Sequence, residues 1–291
     1  YRSWEVLAKC IESFNKYKPH TSYEILVVDN DSQDGKFNDF KQQFHEIKLI
    51  ANKGNYGFSS GCNLGSDKAK GEFLIFLDHD DQIKPNALDR FLYQWELLSS
   101  NQQDNIAGMI AHCEDELGNL VGTNFPRSPD INSFFDLMFS EGVRGEKFFC
   151  YKTEIMQENN FQLVDRYVPE SNVMWRISAK YKTLFFNETL RIYTQPQIGG
   201  KNLSTMNPFD YPLGFRLSYL DLLNNFSNKL IYKPYLLVSF LFNFSLFSCA
   251  SHLSLRSSIV DLENQIHRVI IFPIFIVAWV FHFFRSKLSS N

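Results

Sequence analysis

The chain has few cysteines and no cysteine motif. Its 291 residues include five cysteines, scattered from Cys10 to Cys249, with no Cys-x-x-Cys pair. This spacing argues for a reducing compartment and against a zinc site or a disulfide framework. The sequence also lacks an internal repeat, a low-complexity tract and a basic run interleaved with aromatic residues, so nucleic acid binding is not indicated. No charged-then-apolar leader opens the sequence, so no signal peptide is visible.

Two common ligand-binding loops are absent as well. There is no GxGxxG spacing and no P-loop lysine. The loop DNDSQDG, which starts at Asp29, fails as a calcium loop, because its sixth position is Asp34 instead of glycine and its twelfth is Phe40 instead of glutamate. What remains is an acidic loop after a predicted strand, suited to hydrogen-bonding a base or ribose through Asp29. An Asx-turn is the alternative for Ser32 and Asp34.

The most informative segment that is present is GEFLIFLDHDD, residues 71–81, in which an apolar run ends in Asp78, Asp80 and Asp81. The run predicts a strand covered on both faces, with the acids at its carboxyl end, where open α/β sheets bind ligands. Clustered aspartates with no nearby Lys or Arg repel one another unless a cation neutralises them. We therefore predict a divalent metal carrying a phosphate-containing ligand. The alternative is a turn in which Asp81 caps a helix from about Pro85.

Strands and helices alternate through the first part of the chain. Helical spacing over 4–17 is followed by strands predicted near 24–28, 48–51, 71–77 and 106–113, with helices between them. Shorter strands are expected near 148 and at 183–186. This alternation predicts an α/β fold with a doubly wound, mostly parallel sheet.

The last part of the chain differs in charge and hydropathy. Residues 201–291 carry 8 Lys/Arg against 4 Asp/Glu, whereas residues 1–200 carry 21 against 28. Two apolar segments, 235–250 and 269–284, are each shorter than the roughly 20 residues of a spanning helix. Basic flanks at Arg268, Arg285 and Lys287 fit an interfacial helix or a short span, and a buried core helix is the alternative. We predict association with a membrane surface.

Three segments together resemble a known family. EILVVDNDSQDG, NYGFSSGCNLG and GEFLIFLDHDD, in this order, resemble the nucleotide-sugar half of family-2 glycosyltransferases with the GT-A fold, over about residues 1–115. A weaker likeness to the acceptor half of bacterial polysaccharide members continues through GEKFFCYKTE, VPESNVMWRISAKYKTLFFNETLRIY and the Asn-Leu-Ser near 203. The resemblance implies a nucleotide-sugar half at 1–122, an acceptor half at 123–198 and a helical, membrane-associated region at 199–291.

The resemblance also implies roles for individual residues. Asp29 would contact the nucleobase. Asp78 would face the ribose or sugar, and Asp80, with Asp78, would hold Mg²⁺ or Mn²⁺ on the diphosphate. The implied donor-binding set is Asp29, Asn55, Gly57, Asn63 and Asp78, and Arg191 and Tyr193 would border the acceptor or a lid.

On the acceptor side, Glu170 matches the carboxylate that deprotonates the acceptor hydroxyl, which would invert the anomeric carbon. A helix N-terminal carboxylate favoured by the dipole is an equal alternative, and because Ser171 replaces the second acid of the family pair, Asp165 could be the base instead. Cys62 stands where many members have Arg. The first strand of the family is missing before Tyr1, which a truncated sequence explains most simply.

The sequence therefore predicts an inverting, metal-dependent glycosyltransferase. Its donor would be a UDP or dTDP sugar, and its acceptor a glycan or polyprenyl-linked glycan at the cytoplasmic face of the membrane. Two competing hypotheses use the same residues. One is a metal-dependent nucleotide-sugar phosphohydrolase, and the other is a non-catalytic GT-A binding or scaffold domain.

Overall fold

The computed structural model describes residues 3–195 and 206–288. The chain divides into two compact units, each built from two segments: residues 1–160 with 180–200, and residues 161–179 with 201–291. The Asn-Leu-Ser segment near 203, part of the weaker family likeness, lies outside the described residues. The division into functional segments 1–122, 123–198 and 199–291 stays a prediction. The two compact units divide the chain at other residues, and they are structural units that do not test a functional division.

The first unit contains two sheets. A two-stranded parallel sheet pairs β1 with β2, and a six-stranded mixed sheet has the order β3-β7-β5-β8-β4, with β6 also paired to β8. Within the larger sheet β5 and β8 are parallel and the other pairs are antiparallel. The strands are β1 (Leu26–Asp29), β2 (Lys48–Ala51), β3 (Phe73–Leu74), β4 (Gln82–Ile83), β5 (Ile106–Glu114), β6 (Asp130–Asn132), β7 (Lys147–Lys152) and β8 (Lys182–Ile192).

Helices flank the sheets of the first unit and form most of the second. The helices that lie wholly in the first unit are α1 (Trp4–Tyr17), α2 (Phe37–Gln43), α3 (Phe58–Lys68), α4 (Ala87–Glu96), α5 (Ser100–Asn105), α6 (Phe134–Phe139) and α7 (Thr153–Glu158). The remaining helices are α8 (Glu170–Lys180), a 3₁₀ turn (Pro208–Asp210), α9 (Pro212–Asn225), α10 (Ser227–Leu230), α11 (Pro234–Ala250), α12 (Leu255–Asp261) and α13 (Gln265–Leu288).

The core of the first unit is centred on β5. Every residue of this strand from Ile106 to Cys113 is buried, as a continuous apolar strand between two neighbours requires. Gly108 allows the close approach of β7, because a Cβ at this position would lie 2.2 Å from the carbonyl oxygen of Cys150. A separate cluster around Trp4 and Phe40 packs α1 and α2 together beside the small sheet.

The strand predicted at 71–77 is shorter in the structure. Only Phe73 and Leu74 join a ladder, with the end of β7. Ile75 and Leu77 nevertheless pack against the main core. The apolar run therefore reflects burial of its side chains, whereas its backbone leaves the ladder before the aspartates begin.

The second unit is helical. Helix α11 packs against both α9 and α13. Arg216 of α9 is buried and pairs with Asp261 while donating to the Ser248 hydroxyl at 2.9 Å. Gly214 permits close contact with the backbone of Tyr167, since a Cβ there would lie 2.1 Å from that carbonyl oxygen. These contacts join α9 to α11, α12 and the segment that precedes α8.

Candidate active site

Asn30 connects the loop after β1 to the glycine loop that begins α3. Its Nδ2 donates to the carbonyl oxygen of Gly57 at 3.2 Å, and its Oδ1 accepts from Asn52 Nδ2 at 3.0 Å. Gly57 has φ +92, a backbone conformation that side chains disfavour, and its N–H donates to Asn55 Oδ1 at 3.2 Å. Two predicted donor-binding residues, Asn55 and Gly57, are thus held beside the end of β1. Sequence reasoning missed Asn30, whose only signal was its place directly after Asp29.

Asp29 ends β1 and is buried. Its carboxylate accepts from the backbone N–H of Ser32 at 3.1 Å and from the Ser32 hydroxyl. These bonds form the Asx-type turn that was the alternative for Ser32, so Asp29 shapes the loop. Its contact with a nucleobase stays a prediction, as does a donor contact from Asn63, which lies within α3.

The three acids of the 78–81 loop have different environments, and the cause is Arg191 near the end of β8. Its guanidinium donates to Asp78 Oδ2 at 2.8 Å and also pairs with Asp81, whose side chain is 1% exposed. The sequence expectation that this cluster lacks a nearby Lys or Arg was wrong, because the fold supplies the cation from a distant strand. Arg191 is thus the counter-ion of the acidic loop, and its place beside the acceptor or a lid stays a prediction.

Asp81 does not cap the following helix. The residue at the N-cap of α4 is Asn86, and Asp81 Oδ1 accepts from the backbone N–H of Thr194 at 2.8 Å. The Thr194 hydroxyl in turn donates to the carbonyl oxygen of Asp80 at 2.6 Å. Burial raises the pKa of Asp81 to about 6, against the opposing effect of Arg191. Asp81 therefore joins the acidic loop to the end of β8.

Asp80 is the acid of this loop whose carboxylate is available to bind a ligand. Among the described residues, that carboxylate has no hydrogen-bond or ion-pair partner, and the side chain is partly exposed. The described residues contain no group of three or more His, Cys, Asp or Glu arranged to hold a metal by protein ligands alone. Mg²⁺ commonly binds through one or two carboxylates together with substrate phosphates and water. Asp80, with the free oxygen of Asp78, fits that kind of site.

Helix α1 contacts both the loop after β1 and the acidic loop. The Trp4 indole N–H donates to Asp34 Oδ2 at 2.8 Å, in the loop after β1. One side of the same helix contacts the acidic loop, where the Cys10 thiol donates to the carbonyl oxygen of Asp78 at 3.8 Å and Ser13 Oγ accepts from Ile83 N at 3.2 Å. Both loops therefore hydrogen-bond to the same helix.

Glu170, the predicted base, is the first residue of α8 and lies in the second unit. Its helix is anchored to α9 by Asp221, which accepts from Asn172 Nδ2 at 2.6 Å and lies 3.6 Å from Arg176 Nε. Burial raises the pKa of Asp221 to about 6, and Arg176 and Asn172 oppose this rise. The position at a helix start suits a dipole-stabilised carboxylate as well as a base, and the base role of Glu170 or of Asp165 stays a prediction.

Sequence comparison relates this chain to a known protein family. The family model described as Glycosyl transferase family 2 matches residues 1–160. A poly(ribitol-phosphate) beta-glucosyltransferase of Bacillus spizizenii is 30% identical over 172 residues, 55% of this chain but 25% of the Bacillus protein. A GalNAc(5)-diNAcBac-PP-undecaprenol beta-1,3-glucosyltransferase of Campylobacter jejuni is 26% identical over 235 residues, 77% of this chain and 71% of that protein.

Solved structures share the fold. Residues 1-349 of S. aureus TarS, in complex with UDP, superpose with a TM-score of 0.61 and 15% identity over 96% of this chain and 86% of that one. The complex of the same protein with UDP-GlcNAc gives 0.63 and 14% identity over 96% and 87%. The predicted α/β GT-A fold is confirmed. The sheet itself is mixed, with parallel pairing between β1 and β2 and between β5 and β8.

Proposed function

This chain belongs to glycosyl transferase family 2, and we propose that it is an inverting, metal-dependent glycosyltransferase using a nucleoside-diphosphate sugar. The names of its Bacillus and Campylobacter relatives support sugar transfer. A uridine diphosphate donor is favoured over a thymidine diphosphate donor, since similar folds were solved with UDP and UDP-GlcNAc.

The main support for this proposal is that the Asp80 carboxylate has no hydrogen-bond or ion-pair partner among the described residues. Arg191 pairs with both Asp78 and Asp81. One guanidinium shared by three carboxylates leaves the loop net negative, which favours a bound cation at Asp80. A bound Mg²⁺ or Mn²⁺ would offset the charge that develops on the leaving diphosphate. Asp80, with Asp78, would hold that ion, and the Asp29 loop would orient the base and ribose. Gly57 leaves the backbone accessible for close approach by the sugar nucleotide.

On the acceptor side, we assign the proton transfer to Glu170. Its carboxylate takes the proton of the acceptor hydroxyl as that oxygen bonds to the anomeric carbon, and the bond from this carbon to the diphosphate oxygen breaks. A single displacement of this kind inverts the anomeric configuration. The match of Glu170 to the acceptor-side carboxylate of the family supports the assignment.

The acceptor and the cellular location are proposed from the relatives and from helix α13. The Campylobacter relative is named for an undecaprenol-linked glycan, which supports a glycan or polyprenyl-linked acceptor. Such acceptors lie at a membrane, and helix α13 is strongly apolar, with Arg268 before and Arg285 after its apolar stretch. We therefore assign the protein to the inner face of the cell membrane, in synthesis of a cell-surface polysaccharide.

The test is calorimetric titration of UDP and dTDP with and without Mn²⁺, on the wild type and on Asp80→Ala. We expect nucleotide binding that requires Mn²⁺ and is lost in Asp80→Ala. Asp104→Ala is the matched control, since Asp104 is an exposed aspartate on α5 of the same unit, and this variant should bind as the wild type does. Equal binding by Asp80→Ala would contradict the proposed donor site.

Turnover separates the competing functions. A transferase consumes UDP-sugar only when an acceptor is present, whereas a phosphohydrolase releases nucleotide from UDP-sugar alone. Metal-dependent binding without turnover on any acceptor would favour the non-catalytic scaffold.

A further inference from the structure

Helix α13 is covered by protein along a narrow seam. Ile271, Phe275 and Ala278 are buried, and α13 packs there against α11, with Phe281 in edge-to-face contact with Phe242 at 6.0 Å between ring centroids. Away from this seam the helix exposes large apolar side chains. Five of them are each between 54% and 74% exposed: Val269, Phe272, Val277, Trp279 and Phe284.

The exposed face is apolar without interruption. No polar residue occurs from Val269 through Phe281. The most apolar 18 residues of the helix have a mean hydropathy of 2.0, and 17% of them are buried. Exposed apolar patches of this extent on a folded protein mark a surface that binds something apolar, because each large side chain left in water costs about 1.5–3 kcal/mol relative to burial.

The charges on this helix restrict what binds there. No Asp or Glu follows Glu263, whereas Arg268 stands at one end of the apolar stretch and Arg285 and Lys287 at the other. Basic residues at both ends complement anionic lipid head groups. A second copy of this chain would bring like charges together at the ends of the interface, whichever way the two helices ran.

Length and packing restrict the orientation. The stretch between Arg268 and Arg285 has 16 residues, which is about 24 Å at 1.5 Å per residue and less than the roughly 30 Å of a hydrocarbon core. One side of α13 is also occupied by α11. A helix that is apolar, basic at its ends and attached along one side to a folded unit suits the plane of a lipid surface.

We propose that the exposed face of α13 is a lipid-binding surface that inserts into an anionic bilayer, with the helix axis in the membrane plane. The apolar side chains enter the boundary between head groups and acyl chains. Arg268, Arg285 and Lys287 contact the head groups. This surface contains none of the residues assigned to the transfer reaction, and it deepens the membrane location that the proposed function includes.

Vesicle flotation with the full chain tests the partner. We expect binding to phosphatidylcholine vesicles that contain phosphatidylglycerol, with weaker binding to phosphatidylcholine alone and in high salt. Val277→Glu should lower partitioning about tenfold or more, because it places a charge where an apolar side chain inserts. Val260→Glu is the matched control, since Val260 is 68% exposed on α12 and outside this face, and it should leave partitioning unchanged.

Two results would overturn the proposal. One is equal flotation of Val277→Glu and the wild type. The other is a wild-type dimer in light scattering that Val277→Glu dissociates, with no lipid binding by either protein.

The orientation is tested by quenching of Trp279 fluorescence with brominated lipids, taken as the difference between the wild type and Trp279→Phe. Bromines near the head groups should quench more strongly than bromines near the bilayer centre. Stronger quenching at the centre would overturn the in-plane orientation in favour of a spanning helix.

Discussion

Arg191 determines how three neighbouring aspartates differ from one another. It is buried, and it pairs with a buried Asp81 and a partly exposed Asp78. Burial acts to lower the pKa of Arg191, but the charges of Asp81 and Asp78 outweigh it and raise the pKa above its usual value. The guanidinium therefore stays charged, and Asp80 is left as the acid that can bind a cation.

For this residue we predict that Arg191→Ala lowers the free energy of unfolding by about 3–5 kcal/mol, because it leaves a buried carboxylate without its partner. Urea denaturation followed by circular dichroism measures the change. The double variant Arg191→Met with Asp81→Leu should be more stable than Arg191→Ala. It removes both charges, whereas Arg191→Ala leaves the buried Asp81 carboxylate without a partner.

The matched control is Arg90→Ala. Arg90 pairs with Glu188 through two nitrogens, but the side chains are 38% and 30% exposed. A pair this exposed to solvent is worth less than a buried one, so this variant should lose clearly less stability than Arg191→Ala. A loss of stability in Arg191→Ala no greater than the loss in Arg90→Ala would contradict the role assigned to Arg191.

Among single elements, β5 shows how one glycine permits a strand pairing. Gly108 faces the backbone of β7 so closely that a Cβ would meet the carbonyl oxygen of Cys150 at 2.2 Å and the Cα of Tyr151 at 2.6 Å. Both contacts are with backbone atoms, which cannot rotate away. The pairing of β5 with β7 therefore depends on the absence of a side chain at this position.

We predict that Gly108→Ala lowers the free energy of unfolding by about 1–3 kcal/mol, the usual cost of overpacking a core. Gly65→Ala in α3 is the control, because its added Cβ would meet Val28 Cγ2 at an ordinary 3.4 Å. Alanine in a helix interior is favoured over glycine by about 0.5–1 kcal/mol, so this variant should be as stable as the wild type or more so. Thermal denaturation compares the two, and similar losses in both would refute the role of Gly108.

Element boundaries could be predicted where a local pattern decides them. Helix α1 and strand β2 begin and end at the predicted residues. The predicted strand at 71–77 is reduced to β3, because the backbone leaves the ladder after Leu74 although β7 continues to Lys147. Helix α13 extends beyond the predicted apolar segment 269–284 to Gln265 and Leu288, since polar residues continue a helix as readily as apolar ones.

In the molecule as a whole, the first unit is completed by a strand that returns late in the chain. Strand β8 pairs with β5, β4 and β6, and it carries Arg191 to the acidic loop. The segment that matches the family model ends at residue 160, before this strand. The matched segment therefore lacks part of its own sheet.

We predict that a truncated chain ending at residue 160 does not fold cooperatively, because β5 loses its parallel neighbour and Asp81 loses its counter-ion. Amide hydrogen exchange measures this directly. Amides of β5 should be protected in the complete chain and exchange rapidly in the truncated one. Protected β5 amides in the truncated chain would show that β8 is dispensable.

Local sequence was sufficient to specify the alternation of strands and helices, the positions of the acidic and glycine loops and the apolar, basic character of the last helix. Each depends on residues close together in the chain, where periodicity, turn formers and charge act locally. Three other features required the assembled fold: Arg191 pairs with Asp78 and Asp81, Asn30 joins two loops, and one face of α13 is uncovered. These depend on which distant segments meet, because burial and pairing energies are set by neighbours in space that local sequence does not specify.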